Sequence, residues 1–241
     1  MNFKTNYLTL AFAILSSVAF AQSDIKYTSP ETEAFKPVEV KTADALREAE
    51  SLSASCGYTK AFFSKEDLNT LMKVSGCVGI RIYNAKESER QTNCDVIAVA
   101  VDATGKEIGA FAKNKYLHAE SYDENTSCNS KKLSQSRAEA CVKNVASSKL
   151  EYQKVFFSKS LVDNSLNAAG SGGIAVLPGS NGSQATMMIA GASLSNGKLT
   201  EVESNYHKSQ LPCPTDCGDP VHYLVAPNQR IWYRFVLVNS R

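Results

Sequence analysis

Hydrophobic positions along the chain follow two periods, and they change in a repeated order. "TADALREAESLSAS" from Thr42 and "SQSRAEACVKNVASS" from Ser134 carry their apolar residues at helical spacing. Leu68, Leu71 and Met72 give a further helix one apolar face. After Gly76 the period becomes two: Val78, Ile80 and Ile82 alternate with Gly79, Arg81 and Tyr83, which predicts a half-buried strand. "NAKESERQTN" reads as a polar turn, "CDVIAVAV" as a second strand, and "DATGK" as the turn closing it. Near the end "IWYRFVLV" alternates well and predicts a last strand.

The pattern occurs twice. "KAFFSKEDLNTLMKVSGCVGIRIY" from Lys60 and "KVFFSKSLVDNSLNAAGSGGIAVL" from Lys154 align without a gap, placing Gly76 on Gly170, Gly79 on Gly173 and Ile80 on Ile174. Further on, "VIAVAVDATGKE" aligns with "MIAGASLSNGKL". The repeat is longer than the 20 to 50 residues of a solenoid unit. Ser64 and Ser158 stand where a helix N-cap belongs. Asp67 follows Ser64 as in a capping box, and Phe63 with Leu68 forms a hydrophobic staple. Gly76 and Gly170 fall where a left-handed residue follows a helix. These features predict an α+β protein of two tandem diverged copies of a small helix-helix-strand-strand domain, helices packed on an antiparallel sheet. The boundaries expected are 41–134 and 135–241, after a polar, flexible leader at 22–40.

The first 21 residues change the picture from fold to location. Lys4, the apolar "LTLAFAILSSVAF" and Ala19-Phe20-Ala21 have the order of a secretory signal peptide with its cleavage site. The apolar run is shorter than a bilayer span needs. The expectation is an exported protein, periplasmic or at the cell surface, without an integral membrane segment after cleavage. Its formal charge of +2 drops by one when Lys4 is removed. So balanced a charge leaves no footprint for nucleic acid, and Lys131-Lys132 is too little of a basic patch.

Candidate chemistry is sparse. "GASLSNGKL" from Gly191 misses the phosphate-loop spacing by one residue and has Leu199 where Ser or Thr would hold magnesium. No G-x-S-x-G or H-E-x-x-H occurs. His118 has Glu120 and Asp123 nearby and could serve as a base; a loop histidine on a polar surface is the simpler reading. Seven cysteines suit disulfides in an exported chain, the odd count leaving one over. For Cys213 and Cys217 in "PCPTDCGDP", three readings stay open: a short-loop disulfide or longer-range bonds, a metal site with His207 and His222, or a redox pair. Cys77 and Cys94 both lack counterparts in the second copy, which would suit a bonded pair. The hairpin register argues against it. Asn125 and Asn181 head sequons. No catalytic, cofactor-binding or metal residue is assigned, and no cofactor.

"GCVGIRIYNA", the "VDATGK" turn and the late "PCPTDCG" resemble uncharacterised small proteins common in Bacteroidota, which carry a GCVGIRxYNA, a VDANG-like turn and a CPPxC-like end. The resemblance covers roughly residues 60–106 and 213–218, and "GSGGIAVL" departs from it. It implies periplasm or cell surface and, by lineage alone, service to an envelope machine such as the secretion or gliding apparatus. The leading expectation is a non-enzymatic, protein-binding or structural module with a protein partner in the cell envelope. One alternative is a ligand- or glycan-binding protein with Tyr58, Tyr83, Tyr116, Tyr122 and Trp232 lining one cleft. Another is a thiol-redox or metal protein using Cys213 and Cys217.

Overall fold

The computed structural model describes residues 37–56, 60–109, 115–122, 130–146, 154–181 and 184–209. Twelve strands and four helices occur among them. In chain order they are β1 (Val38–Lys41), α1 (Thr42–Cys56), β2 (Ala61–Ser64), α2 (Lys65–Met72), β3 (Cys77–Ala85), β4 (Asp95–Asp102), β5 (Glu107–Ile108) and β6 (Tyr116–Ala119). There follow β7 (Ser130–Leu133), α3 (Gln135–Ala146), β8 (Lys154–Ser158), α4 (Lys159–Asn167), β9 (Gly173–Asn181), β10 (Gln184–Ser195), β11 (Lys198–Glu201) and β12 (Asn205–Lys208).

The strands form two six-stranded antiparallel sheets. One has the order β1-β12-β10-β9-β2 with β11 beside β10; the other has β7-β6-β4-β3-β8 with β5 beside β4. Replacing each strand of the first by the strand six places away in chain order yields the second. Neither sheet is built from one half of the chain. The first takes β9 to β12 from the second half and borrows β1 and β2; the second takes β3 to β6 from the first half and borrows β7 and β8.

This corrects the expected α+β fold of two tandem helix-helix-strand-strand domains. The molecule is mostly β, and what was read as a staple before each helix is itself a strand, β2 or β8. Paired phenylalanines carry no visible period over four residues, and their partners lie in the opposite half. Nor do the helices share one sheet face. Ala45 and Ala49 of α1 pack with Ala175, Leu177, Met188 and Ala190 outside the first sheet. Ala138, Cys141 and Val142 of α3 pack with Tyr83, Ile97 and Val99 outside the second. Helices α2 and α4 join the core between the sheets, where Leu68, Leu71, Val162 and Leu166 meet Ile80, Ile82, Val176 and Ile189. The alternation of β3 thus has two buried faces: its even residues enter the shared core and its odd residues lie under α3.

Local signals behave as the chemistry requires. Ser64 caps α2 and Ser158 caps α4, each from extended backbone. Asp67 departs from the capping-box pattern: its carboxylate accepts from the Ser64 hydroxyl at 3.0 Å. Gly76 and Gly170 both have φ of 82°. Val38–Lys41, at the end of the polar leader, pairs antiparallel with β12. Residues 1–36 and the "IWYRFVLV" segment lie outside the described residues. Among the described residues no helix is long and apolar enough to cross a membrane.

Candidate functional site: two seams and a buried charge cluster

The repeated K-x-F-F-S-K marks two of the places where the halves exchange strands. Strand β2 pairs with β9, Phe63 opposite Ile174 and Ser64 opposite Gly173. Strand β8 pairs with β3, Phe157 opposite Ile80 and Ser158 opposite Gly79. The letters F-F-S-K have tasks performed twice. Phe63 and Phe157 enter the shared core. Phe62 lies over Gly173, where an added Cβ would stand 2.5 Å from its ring and 2.1 Å from the Phe63 carbonyl oxygen. Phe156 lies over Gly79, where the same distances are 2.5 Å and 2.3 Å from the Phe157 oxygen. The serines accept from Asp67 N at 3.2 Å and Leu161 N at 3.4 Å. The closing lysines cross over: Lys65 Nζ donates to Leu166 O of α4 at 2.5 Å, and Lys159 Nζ donates to Met72 O of α2 at 2.9 Å. Each helix start therefore satisfies a carbonyl orphaned at the end of the other helix.

The opening lysines differ. Lys60 pairs with the Glu201 carboxylate, which also accepts from Tyr206 Oη at 2.9 Å. Burial raises the Glu201 pKa, and the bond and charge of Lys60 outweigh it, so the group ends below its ordinary value. In the second sheet the corresponding residues by register are Lys154, Glu107 and Tyr116. Here Arg81 intervenes. Its Nη1 donates to Glu107 Oε1 at 2.9 Å and its Nη2 to Gly105 O at 2.9 Å. Tyr83 Oη donates to the same carboxylate oxygen, and Tyr116 Oη to Oε2 at 2.6 Å. Lys154 is 5% exposed beside this group. Burial first, then the Arg81 charge, bring its amine down to about 6, against the pull of Glu107.

His118 corrects the reading of a surface loop. It lies on β6, fully buried, with Nε2 at 3.1 Å from Asp95 Oδ2. Asp95 also accepts from Gln91 Nε2 and Ser121 N, both at 2.9 Å. Burial alone would raise the Asp95 pKa, and these donors bring it below the usual value. His118 Nδ1 has no hydrogen-bond partner among the described residues. Glu120 pairs with Lys131, and Asp123 lies outside the described residues. Lys131 and Lys132 face Glu120, Glu87 and Asp67.

Of the tyrosines expected to line a glycan cleft, Tyr83 and Tyr116 meet at Glu107, and Tyr122 lies apart from them. Tyr83 and Tyr116 are buried under α3. Tyr122 packs on the cluster outside the first sheet and donates to Gly197 O at 2.9 Å. Tyr58 and Trp232 lie outside the described residues, as do Cys213, Cys217 and His222. His207 is 3.7 Å from Glu203. No group of three or more His, Cys, Asp or Glu side chains among the described residues is placed to hold a metal ion. Cys77 and Cys141 are free, burial pushing both thiols up. Asn196 and Gly197, both with positive φ, make the turn between β10 and β11, which accounts for the near-phosphate-loop spelling.

Sequence reasoning passed over Lys60, Arg81, Glu107 and Lys154. The available signal was a cation inside an apolar alternation (Arg81) and a lysine kept at the head of both FFSK strands. No family model, no curated protein and no solved structure matches the chain.

Proposed function

We propose that the chain is an exported, non-enzymatic structural or protein-binding module, an accessory of a bacterial cell-envelope assembly. The observation that carries this reading is the reciprocal strand exchange, in which the repeated motif pairs with a strand of the other half and sends its second lysine to a helix end there. The buried acids answer neighbouring donors: Glu107 meets Arg81, Tyr83 and Tyr116, Glu201 meets Lys60, and Asp95 meets His118. Such chemistry stiffens a body, and a body built on two sheets of matching strand order suits scaffolding. The secretory pattern of residues 1–21 and the seven cysteines of the chain support export, since cysteine-rich chains suit oxidising compartments. The resemblance to Bacteroidota proteins supports the envelope. The test is cross-linking of the tagged full chain in its native cells, followed by isolation and mass spectrometry. One reproducible envelope partner is expected; recovery of the chain alone across repeated cross-linkers overturns the reading.

A further inference from the structure

Strands β1 and β2 end the first sheet, β7 and β8 the second. Three of these edges are occupied or guarded. Ala61 of β2 is bridged by Ser121, and Tyr122 N donates to Lys60 O at 2.7 Å. Lys154 and Phe156 of β8 are engaged. Strand β7 carries Lys131 and Lys132 at its centre, so pairing it antiparallel with another copy of itself sets lysine against lysine. Strand β1, Val38–Lys41, has no such guard. Thr42 N donates to Ser204 O at 3.0 Å, one step beyond the Lys41↔Asn205 pair of its register with β12. An antiparallel ladder alternates, so Val38 and Val40 bond to β12 as Thr42 does, and the N–H and C=O groups of Glu39 and Lys41 point away from the sheet. Val38 beside them, 40% exposed, is the exposed large hydrophobic residue among those described. Val40 is partly buried against the cluster under α1.

We propose that β1 is a dimer edge, at which a second copy of this chain adds its own β1 antiparallel about a two-fold axis through Val40. The strand is complementary to itself. With Val40 opposite Val40 of the second copy, Glu39 stands opposite Lys41 of the second copy, and Lys41 opposite its Glu39, which gives two ion pairs in one contact. The same register sets the outward backbone groups of Glu39 against those of Lys41, the kind of pair that exchanges two hydrogen bonds in an antiparallel ladder. The two Val40 side chains then form the closer, non-hydrogen-bonded pair and join the apolar clusters under the two α1 helices. Sliding the strands by two residues in either direction sets Glu39 opposite Glu39 or Lys41 opposite Lys41, so charge selects one register. The two first sheets become one continuous sheet across the axis, a closed isologous contact. This inference goes beyond the envelope reading and does not depend on it.

The test is sedimentation of the purified full chain over a range of concentrations, with hydrogen exchange at the lowest and the highest. Rising concentration is expected to double the mass and to protect the Glu39 and Lys41 amides, which face away from β12. Glu39→Lys and Lys41→Glu, both at exposed positions, are each expected to abolish the doubling, since each sets like charges opposite one another twice. The double variant Glu39→Lys/Lys41→Glu brings opposite charges together again and is expected to restore the dimer, a recovery that loss of folding cannot imitate. A monomer at every concentration overturns the proposal. So does a dimer that the single variants leave intact, or one that the double variant fails to recover.

Discussion

The outer faces of the two sheets begin from the same three residues, a lysine, a glutamate and a tyrosine, and arrive at different chemistry. Lys60, Glu201 and Tyr206 form a closed set with one positive and one negative charge. Lys154, Glu107 and Tyr116 are joined by Arg81 and Tyr83, the odd-numbered residues of the GCVGIRIYNA strand. Adding one guanidinium to the same frame sets a second cation on the carboxylate, and burial together with the Arg81 charge brings the Lys154 amine down to about 6. A buried ion pair is thus defined by who else competes for the carboxylate as much as by the two groups themselves.

The sharpest break in this comparison is Glu107→Gln against Glu201→Gln. The first strands a fully buried guanidinium and should cost about 3–5 kcal/mol in urea unfolding. The second leaves Lys60, whose side chain is 14% exposed, within reach of water, and about 1–2 kcal/mol is expected. Equal losses would mean that Arg81 adds nothing. Where the halves are alike, the effects should match. Gly79→Ala and Gly173→Ala each drive a methyl into a backbone oxygen and a phenylalanine ring, and each should cost about 3 kcal/mol by the same measurement. Removing one crossing cation, by Lys65→Met or Lys159→Met, should cost about 1.5–3 kcal/mol, because each makes a charge-assisted bond to a helix-end carbonyl. The caps come last. Ser64→Ala and Ser158→Ala should each lose about 1 kcal/mol of thermal or urea stability, Ser64→Ala the more because its hydroxyl also donates to Asp67.

Elements whose signals are local were legible in the sequence. The helices follow from apolar spacing and serine caps, the β3–β4 hairpin from alternation around a polar turn, and the tight turns from Gly105 and Gly197. The seams were not legible. Nothing near Phe62 says that its ring will cover Gly173, and nothing near Ile80 says that its neighbour will be Phe157. Repetition was visible, and it suggested two bodies side by side, because a local period cannot report which half a strand pairs with. The charge cluster was missed for a related reason: Arg81 fits the alternation as a solvent-facing residue until α3 is known to cover that face.

The exchange of strands also sets a timetable. The carbonyl of Glu203 receives the hydroxyl of Thr42 across 161 positions of chain, and β3 has no outer neighbour until Lys154 has been made. When the first half leaves the ribosome it therefore carries two strands with nowhere to go and one sheet without its edge. Contacts so distant form late, so the polypeptide stays open until its second half is delivered. Were the chain exported as proposed, that delay would be an advantage, since a channel that passes unfolded threads refuses finished folds.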